Sequence, residues 1–166
     1  MKGVKAFHWR GLLGFQLCWF ALVLWQMQAL VPVLLYWLYG FWRLSKAQRV
    51  AVLLISLLGV LLDSLLTAFD VLSFSSSSQL PLWFVMLWAL FALAAVEFMA
   101  SVLTRPWLAA LLGASGGPLS YWGGAALSGG ALVFPSPVLS MLVLVVSWAL
   151  IAIALGQSRR FYVEAT

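Results

Sequence analysis

The chain has 166 residues, 65% of them hydrophobic and only 8% charged. Soluble domains run near half apolar and about a quarter charged. This composition therefore excludes a water-solvated core and leaves room for about five or six helices of ~20 residues each in a bilayer, with no extramembrane domain for separate chemistry.

The net charge of +5 does not mark a nucleic-acid binder, because the nine Lys and Arg fall at the ends of apolar runs instead of clustering on one solvated face. They read as topology signals. The single cysteine, Cys18, lies inside an apolar run; it excludes an internal disulfide and reads as a small core residue.

Residues 1–10 carry Lys2, Lys5 and Arg10, and the apolar run from Gly11 follows. That run leads into Gln26-Met27-Gln28 and a second apolar segment with no small-x-small cleavage site, so it reads as a first span over 11–27 and not as a signal peptide. Trp9 and Trp25 are placed to mark its two interfaces. A second, short span over 29–43 starts with Pro32 in its first turn, where the missing N–H costs least. These two spans are expected to form a tight hairpin turning at Gln26–Gln28. The basic segment 43–49 reads as a loop.

The third span, 50–72, organises the rest. Ser56, Gly59, Asp63, Thr67 and Asp70 follow at steps of three or four residues, which puts all five on one face of a helix that is otherwise apolar. Such a stripe belongs against protein and not lipid. The serine-rich segment SFSSSSQ, Ser73–Gln79, reads as a flexible outer loop. A fourth span over 81–103 begins at Pro81 and contains Glu97. Thr104-Arg105 makes a short inner turn, and Pro106 opens a fifth span over 106–127. A glycine-rich loop then leads to Ser136-Pro137, the N-cap and first residue of a sixth span over 137–155.

Six spans with an inside N-terminus put every Lys and Arg on one side, in segments 1–10, 43–49, 104–105 and 156–166, and none in the outer loops. The positive-inside rule then predicts that both termini are cytoplasmic. The expected fold is an all-α, polytopic transmembrane helix bundle forming one integral membrane domain.

Three carboxylates fall within these spans. Asp63 lies about 20 Å from the inner end of the third span, by the helical rise per residue. A charged carboxylate at mid-span costs on the order of 3 kcal/mol, so it must be compensated, and Gln16, Ser120 and Tyr121 are the candidate partners. Two readings stay open: a proton, ligand or cation site, or a hydrogen-bonded link between helices. Asp70, near the outer end, and Glu97, two turns above Arg105, are secondary candidates. Glu97 also fits a local pairing with Ser101 or Arg105.

In the fifth span, Gly113 and Gly117 form a GxxxG pair, and Gly116, Ser120, Gly124 and Ser128 repeat every four residues. Small residues let helices approach closely. Pro118 crowds the carbonyl of Ala114 and predicts a kink or break beside Gly116-Gly117, a device transporters use around binding sites. This glycine face is expected to pack on the stripe of Gly59 and Asp63.

Catalytic and metal motifs are missing. His8 stands alone, so no metal site and no cofactor are expected. Gly59 and Asp63 give a G-x-x-x-D fragment, but position 67 is Thr and no Asp–Arg pair precedes it, which leaves metal-assisted phosphoryl chemistry unsupported.

Three stretches together, Phe15-Gln16-Leu17-Cys18-Trp19-Phe20, Gly59 with Asp63-Ser64, and Gly113 to Gly124 (GASGGPLSYWGG), resemble a family of small bacterial inner-membrane proteins catalogued only as a domain of unknown function. The resemblance covers the first five spans. It implies a multi-pass inner-membrane protein whose genes often lie near those for cyclopropane-type fatty acyl modification, and it implies no activity. Relatives often carry Gly where this chain has Cys18, and Asn-His near Glu97, so a role of the fourth span in the family does not carry over.

Three functions follow in order of expectation. The first is an accessory or scaffold protein that docks lipid-modifying enzymes at the cytoplasmic face and contacts membrane lipids. The second is a small transporter or lipid-handling protein using Asp63, Gln16 and a broken fifth span. The third is an intramembrane enzyme, last for want of a catalytic constellation. A cavity between the first, third and fifth spans lined by Asp63 favours the second; a tight, dry bundle favours the first.

Overall fold

The computed structural model describes residues 9–162. Lys2, Lys5, His8 and Glu164, and the side chains of Trp9 and Arg10, lie outside the described residues. Six helices make up almost all of the fold: α1 Trp9–Trp25, α2 Leu30–Arg43, α3 Lys46–Ala68, α4 Leu82–Val102, α5 Pro106–Leu127 and α6 Pro137–Ser158. Two short strands, β1 Ser73–Phe74 and β2 Leu132–Val133, pair antiparallel, with Ser73 opposite Val133 and Phe74 opposite Leu132. The fold is all-α apart from this pair. Four stretches are long and apolar enough to cross a membrane: Gly11–Arg43, Lys46–Ala68, Leu82–Val102 and Pro137–Phe161.

The first of these is folded back on itself. Gln26 takes a left-handed backbone conformation, φ +47°, and opens a 3-10 turn over Gln26–Ala29. A straight helix would hold Gly14 and Tyr36 about 33 Å apart, yet a methyl on Gly14 would overlap the Tyr36 ring. Further contacts set the directions. Gly11 lies against Phe98, and Gly40 against Leu93. Trp37 Nε1 donates to the Ala89 carbonyl at 2.9 Å. So α1 runs antiparallel to α4, and α2 runs parallel to it.

Helix α3 begins earlier than the sequence suggested, and the basic segment 43–49 is not all loop. Ser45 caps the helix by accepting from the Gln48 N–H, while the Gln48 side chain accepts from the Ser45 N–H. This reciprocal capping box takes Lys46 and Arg49 into the first turn.

The helix also ends earlier. Val71 N–H bonds to the Leu66 carbonyl and Asp70 N–H to the Thr67 carbonyl, the two bonds of a Schellman stop. Asp70 sits at its left-handed position, φ +54°. It therefore leaves the helix, and the five-residue stripe ends at Thr67. Asp70 is a turn former here, a role short acidic and amide side chains fill when glycine is not present.

The serine-rich loop is likewise tied down at its start, since Ser75 N–H bonds to the Ala131 carbonyl beside the strand pair. At the same end Gln26 donates to the Ser128 carbonyl, and Ser140 donates to the Val71 carbonyl at 2.7 Å.

At the opposite end, Tyr162, Val52, Ala100 and Leu44 share one apolar cluster. Gly156 lies against the Leu103 backbone. The described basic residues, Arg43, Lys46, Arg49, Arg105, Arg159 and Arg160, all belong to this second end.

Candidate functional site

Helices α3, α4, α5 and α6 meet around one buried carboxylate. Asp63 is fully buried, one turn beyond Gly59 on the same face of α3. Its Oδ2 accepts two hydrogen bonds, from Trp88 Nε1 on α4 and from the Tyr121 hydroxyl on α5, both at 2.6 Å. Bonds this short are typical of donors to a charged acceptor. Net contributions of ~1.5–3 kcal/mol for each such bond offset the cost of a carboxylate inside an apolar helix bundle. Asp63 Oδ1 and the buried Trp148 Nε1 have no hydrogen-bond partner among the described residues.

Two indoles complete the centre. Trp88 and Trp148 stack nearly parallel, 8° apart with centroids at 5.4 Å. The outer face of each fills a glycine: a methyl on Gly59 would overlap the Trp88 ring, and one on Gly117 would overlap the Trp148 ring. One continuous stack thus runs from Gly59 through Trp88 and Trp148 to Gly117, crossing four helices. From the sequence the glycine face of α5 is expected against the stripe of α3; instead Gly59 meets Trp88 and Gly117 meets Trp148. Two tryptophans stand between them. Gly59 and Gly117 each take a ring and not a neighbouring backbone, whereas Gly113 meets the Trp148 carbonyl.

Of the expected partners of Asp63, Tyr121 bonds to it; Gln16 and Ser120 do not. Pro118 does not break α5, which is helical from Pro106 to Leu127. Pro118 is buried beside Gly117 within that helix. Gly124 is also buried, 3.9 Å from the Leu132 side chain by its would-be methyl. Glu97 lies in a π-helical turn over Ala95–Met99, with its carboxylate beside Gly11, and is exposed. Ser101 donates to the Phe98 carbonyl, so it is already engaged within its own turn. No group of three or more metal-ligating side chains occurs among the described residues.

Sequence reasoning missed Trp88 and Trp148. A signal existed: both fall in the middle of apolar runs, away from the interfaces where tryptophan usually sits, and a buried indole N–H needs an acceptor. Asp63 is the acceptor for one of them.

Beside this centre the bundle is open. A groove of about 690 Å³ runs between α1 and α5, floored by α4 and α6. Along α5 it is lined from Leu112 to Leu127, about 22 Å of helix. Gln16 and Ser120 line it; Asp63 does not. Ser120, Trp19 and Trp148 also line a smaller cavity of about 60 Å³ that touches Trp88 and Tyr121, so one wall separates the groove from the donors that hold Asp63.

Apolar helices long enough to cross a membrane, gathered around a buried carboxylate and open on one side, define a helical membrane protein. The chain belongs to the family described as "Protein of unknown function (DUF2878)", whose profile matches residues 8–154. No curated protein and no solved structure matches the chain.

Proposed function

We propose that the protein is a six-span protein of the bacterial inner membrane, basic end in the cytoplasm, that takes the hydrocarbon chain of a membrane lipid into the groove between α1 and α5. The observation that carries this reading is the asymmetry of the small residues on α5. One face, with Gly113 and Gly117, is filled by Trp148 and its backbone. The other face holds Gly116, whose would-be methyl meets nothing within 4 Å, and Gly123, 3.7 Å from Trp19. Bundles in lipid hold together by close packing, because lipid tails are as apolar as leucine. A face of small residues left unfilled beside a groove this long fits a flexible hydrocarbon chain.

A photoactivatable fatty acyl probe in reconstituted membranes tests this. It labels α5 at the groove saturably, and Gly116→Trp, which fills the groove, lowers that labelling severalfold. Labelling of the exposed outer face of α3 at Leu57 and Leu61 stays unchanged. Equal labelling of both sites in both proteins refutes the reading.

The accessory reading draws on a separate observation: Arg43, Lys46, Arg105 and Arg160 are exposed together at one end. That end is suited to anionic lipid headgroups and to lipid-modifying enzymes working on them. Orientation is tested in a Cys18→Ala protein carrying Ser76→Cys. An impermeant thiol reagent reaches position 76 from outside the cell; reaction only from the cytosol overturns the orientation.

A further inference from the structure

The groove is apolar with one exception. Gln16 on α1 and Ser120 on α5 both line it, and neither side chain makes a hydrogen bond to another described residue. Their positions place them opposite each other. Trp19 meets Gly123 across the groove. Gln16 lies three residues before Trp19, and Ser120 three residues before Gly123. Helices α1 and α5 run in the same direction, both away from the basic end. Stepping back three residues on each therefore descends ~4.5 Å on the same face of both helices. Two polar side chains thus face one level of the groove.

No charged side chain lines the groove, so this level does not suit a carboxylate or a phosphate, whose transfer into hydrocarbon surroundings is costly without a counter-charge. A glutamine amide both donates and accepts hydrogen bonds, and so does a serine hydroxyl. The smallest uncharged group on a hydrocarbon chain that matches both partners in both senses is a hydroxyl. The level lies nearer the end of the bundle away from the basic residues: Ser120 is seven residues before Leu127, about 10 Å of helix. A lipid whose headgroup sits at that end meets Gln16 and Ser120 with the middle of its chain.

We propose that Gln16 and Ser120 together select a hydrocarbon chain bearing a hydroxyl group near its middle. This rests on the reading of the groove as a lipid site. The amide and the serine hydroxyl exchange hydrogen bonds with the chain hydroxyl; plain chains enter the same groove and leave both side chains unpaired.

The test uses the full chain in nanodiscs and two probes, stearate and a hydroxystearate with its hydroxyl at mid-chain, competed against a fluorescent fatty acid. The wild-type protein binds hydroxystearate on the order of tenfold tighter than stearate, the preference one or two net hydrogen bonds supply. The Gln16→Leu, Ser120→Ala double variant loses the preference and keeps stearate binding. Gln16 is exposed and Ser120 only half-buried, so folding is retained. Equal binding of both probes by the wild-type protein, or a preference that survives the double variant, overturns the selection while leaving the groove reading intact. Failure of Gly116→Trp to weaken stearate binding overturns the groove reading and the selection with it.

Discussion

Gly59→Ala tests the central stack. The added methyl overlaps the Trp88 ring, which lies flat against Gly59. Trp88 has no direction in which to retreat. Its other face is covered by Trp148, which in turn lies against Gly117, and its Nε1 is held by Asp63 one turn along α3. The substitution therefore forces either overpacking, ~1–3 kcal/mol, or rotation of the indole away from Asp63, which forfeits a bond to a charged acceptor of ~1.5–3 kcal/mol. Against this, alanine favours a helix over glycine by ~1 kcal/mol. The net loss is up to ~2 kcal/mol, against a net gain of ~1 kcal/mol where the methyl meets no ring.

Gly116→Ala is the matched control, because its methyl enters open space; it gains the helix term and loses nothing. Thermal unfolding of the detergent-solubilised proteins separates the two. At ~2–4 °C per kcal/mol for a chain of this size, Gly59→Ala melts up to roughly 8 °C lower than the native protein, and Gly116→Ala melts no lower. Near-ultraviolet circular dichroism follows the stacked indoles directly and changes only in Gly59→Ala. Equal melting temperatures for the two variants refute the stack as a structural clamp.

Two further substitutions follow from the same geometry. Asp63→Leu removes the acceptor of Trp88 and Tyr121 and leaves two buried donors unpaired, at ~1–3 kcal/mol each; Asp63→Asn keeps an acceptor and costs ~1 kcal/mol. A double-mutant cycle with Tyr121→Phe gives a coupling of ~1–3 kcal/mol, read by unfolding. Additive losses contradict a direct bond. Asp70→Gly relieves a non-glycine residue at a left-handed turn and raises the melting temperature slightly, whereas Asp70→Val, β-branched at φ +54°, lowers stability by ~1–2 kcal/mol. A stable Asp70→Val protein contradicts the Schellman stop after α3.

The helices were legible because bilayer-length apolar runs punctuated by Pro106, Pro137 and the basic segments leave few alternatives. The boundaries of α3 were less so. A basic, polar segment reads as loop until the Ser45–Gln48 capping box is noticed, and an acidic residue in register with a stripe reads as helical until its backbone is seen to turn. Tyr121 was legible as a partner of Asp63 because it carries a donor on a face rich in small residues. Gln16 and Ser120 carry the same polar signal, yet they turn to the groove. Periodicity gives the face of a helix, and it does not give the neighbour that covers that face.

The placement of the tryptophans follows from what drives assembly in oil. Water offers no reward there for burying leucine against leucine, so a bundle gains from contacts that lipid tails make poorly. A flat ring seated on a glycine is such a contact, since it brings many atoms to van der Waals distance at once. An indole N–H pointed at a carboxylate is another. Trp88 makes both at the same time, on Gly59 and Asp63, which explains why the glycine and the acid stand one turn apart on α3. By the same reasoning the empty face of α5 is not a packing default. A ring the size of Trp148 seated against Gly116 would close the bundle; the chain instead places Gln16 and Ser120 there, two side chains that gain nothing from lipid and much from an oxygen brought to them.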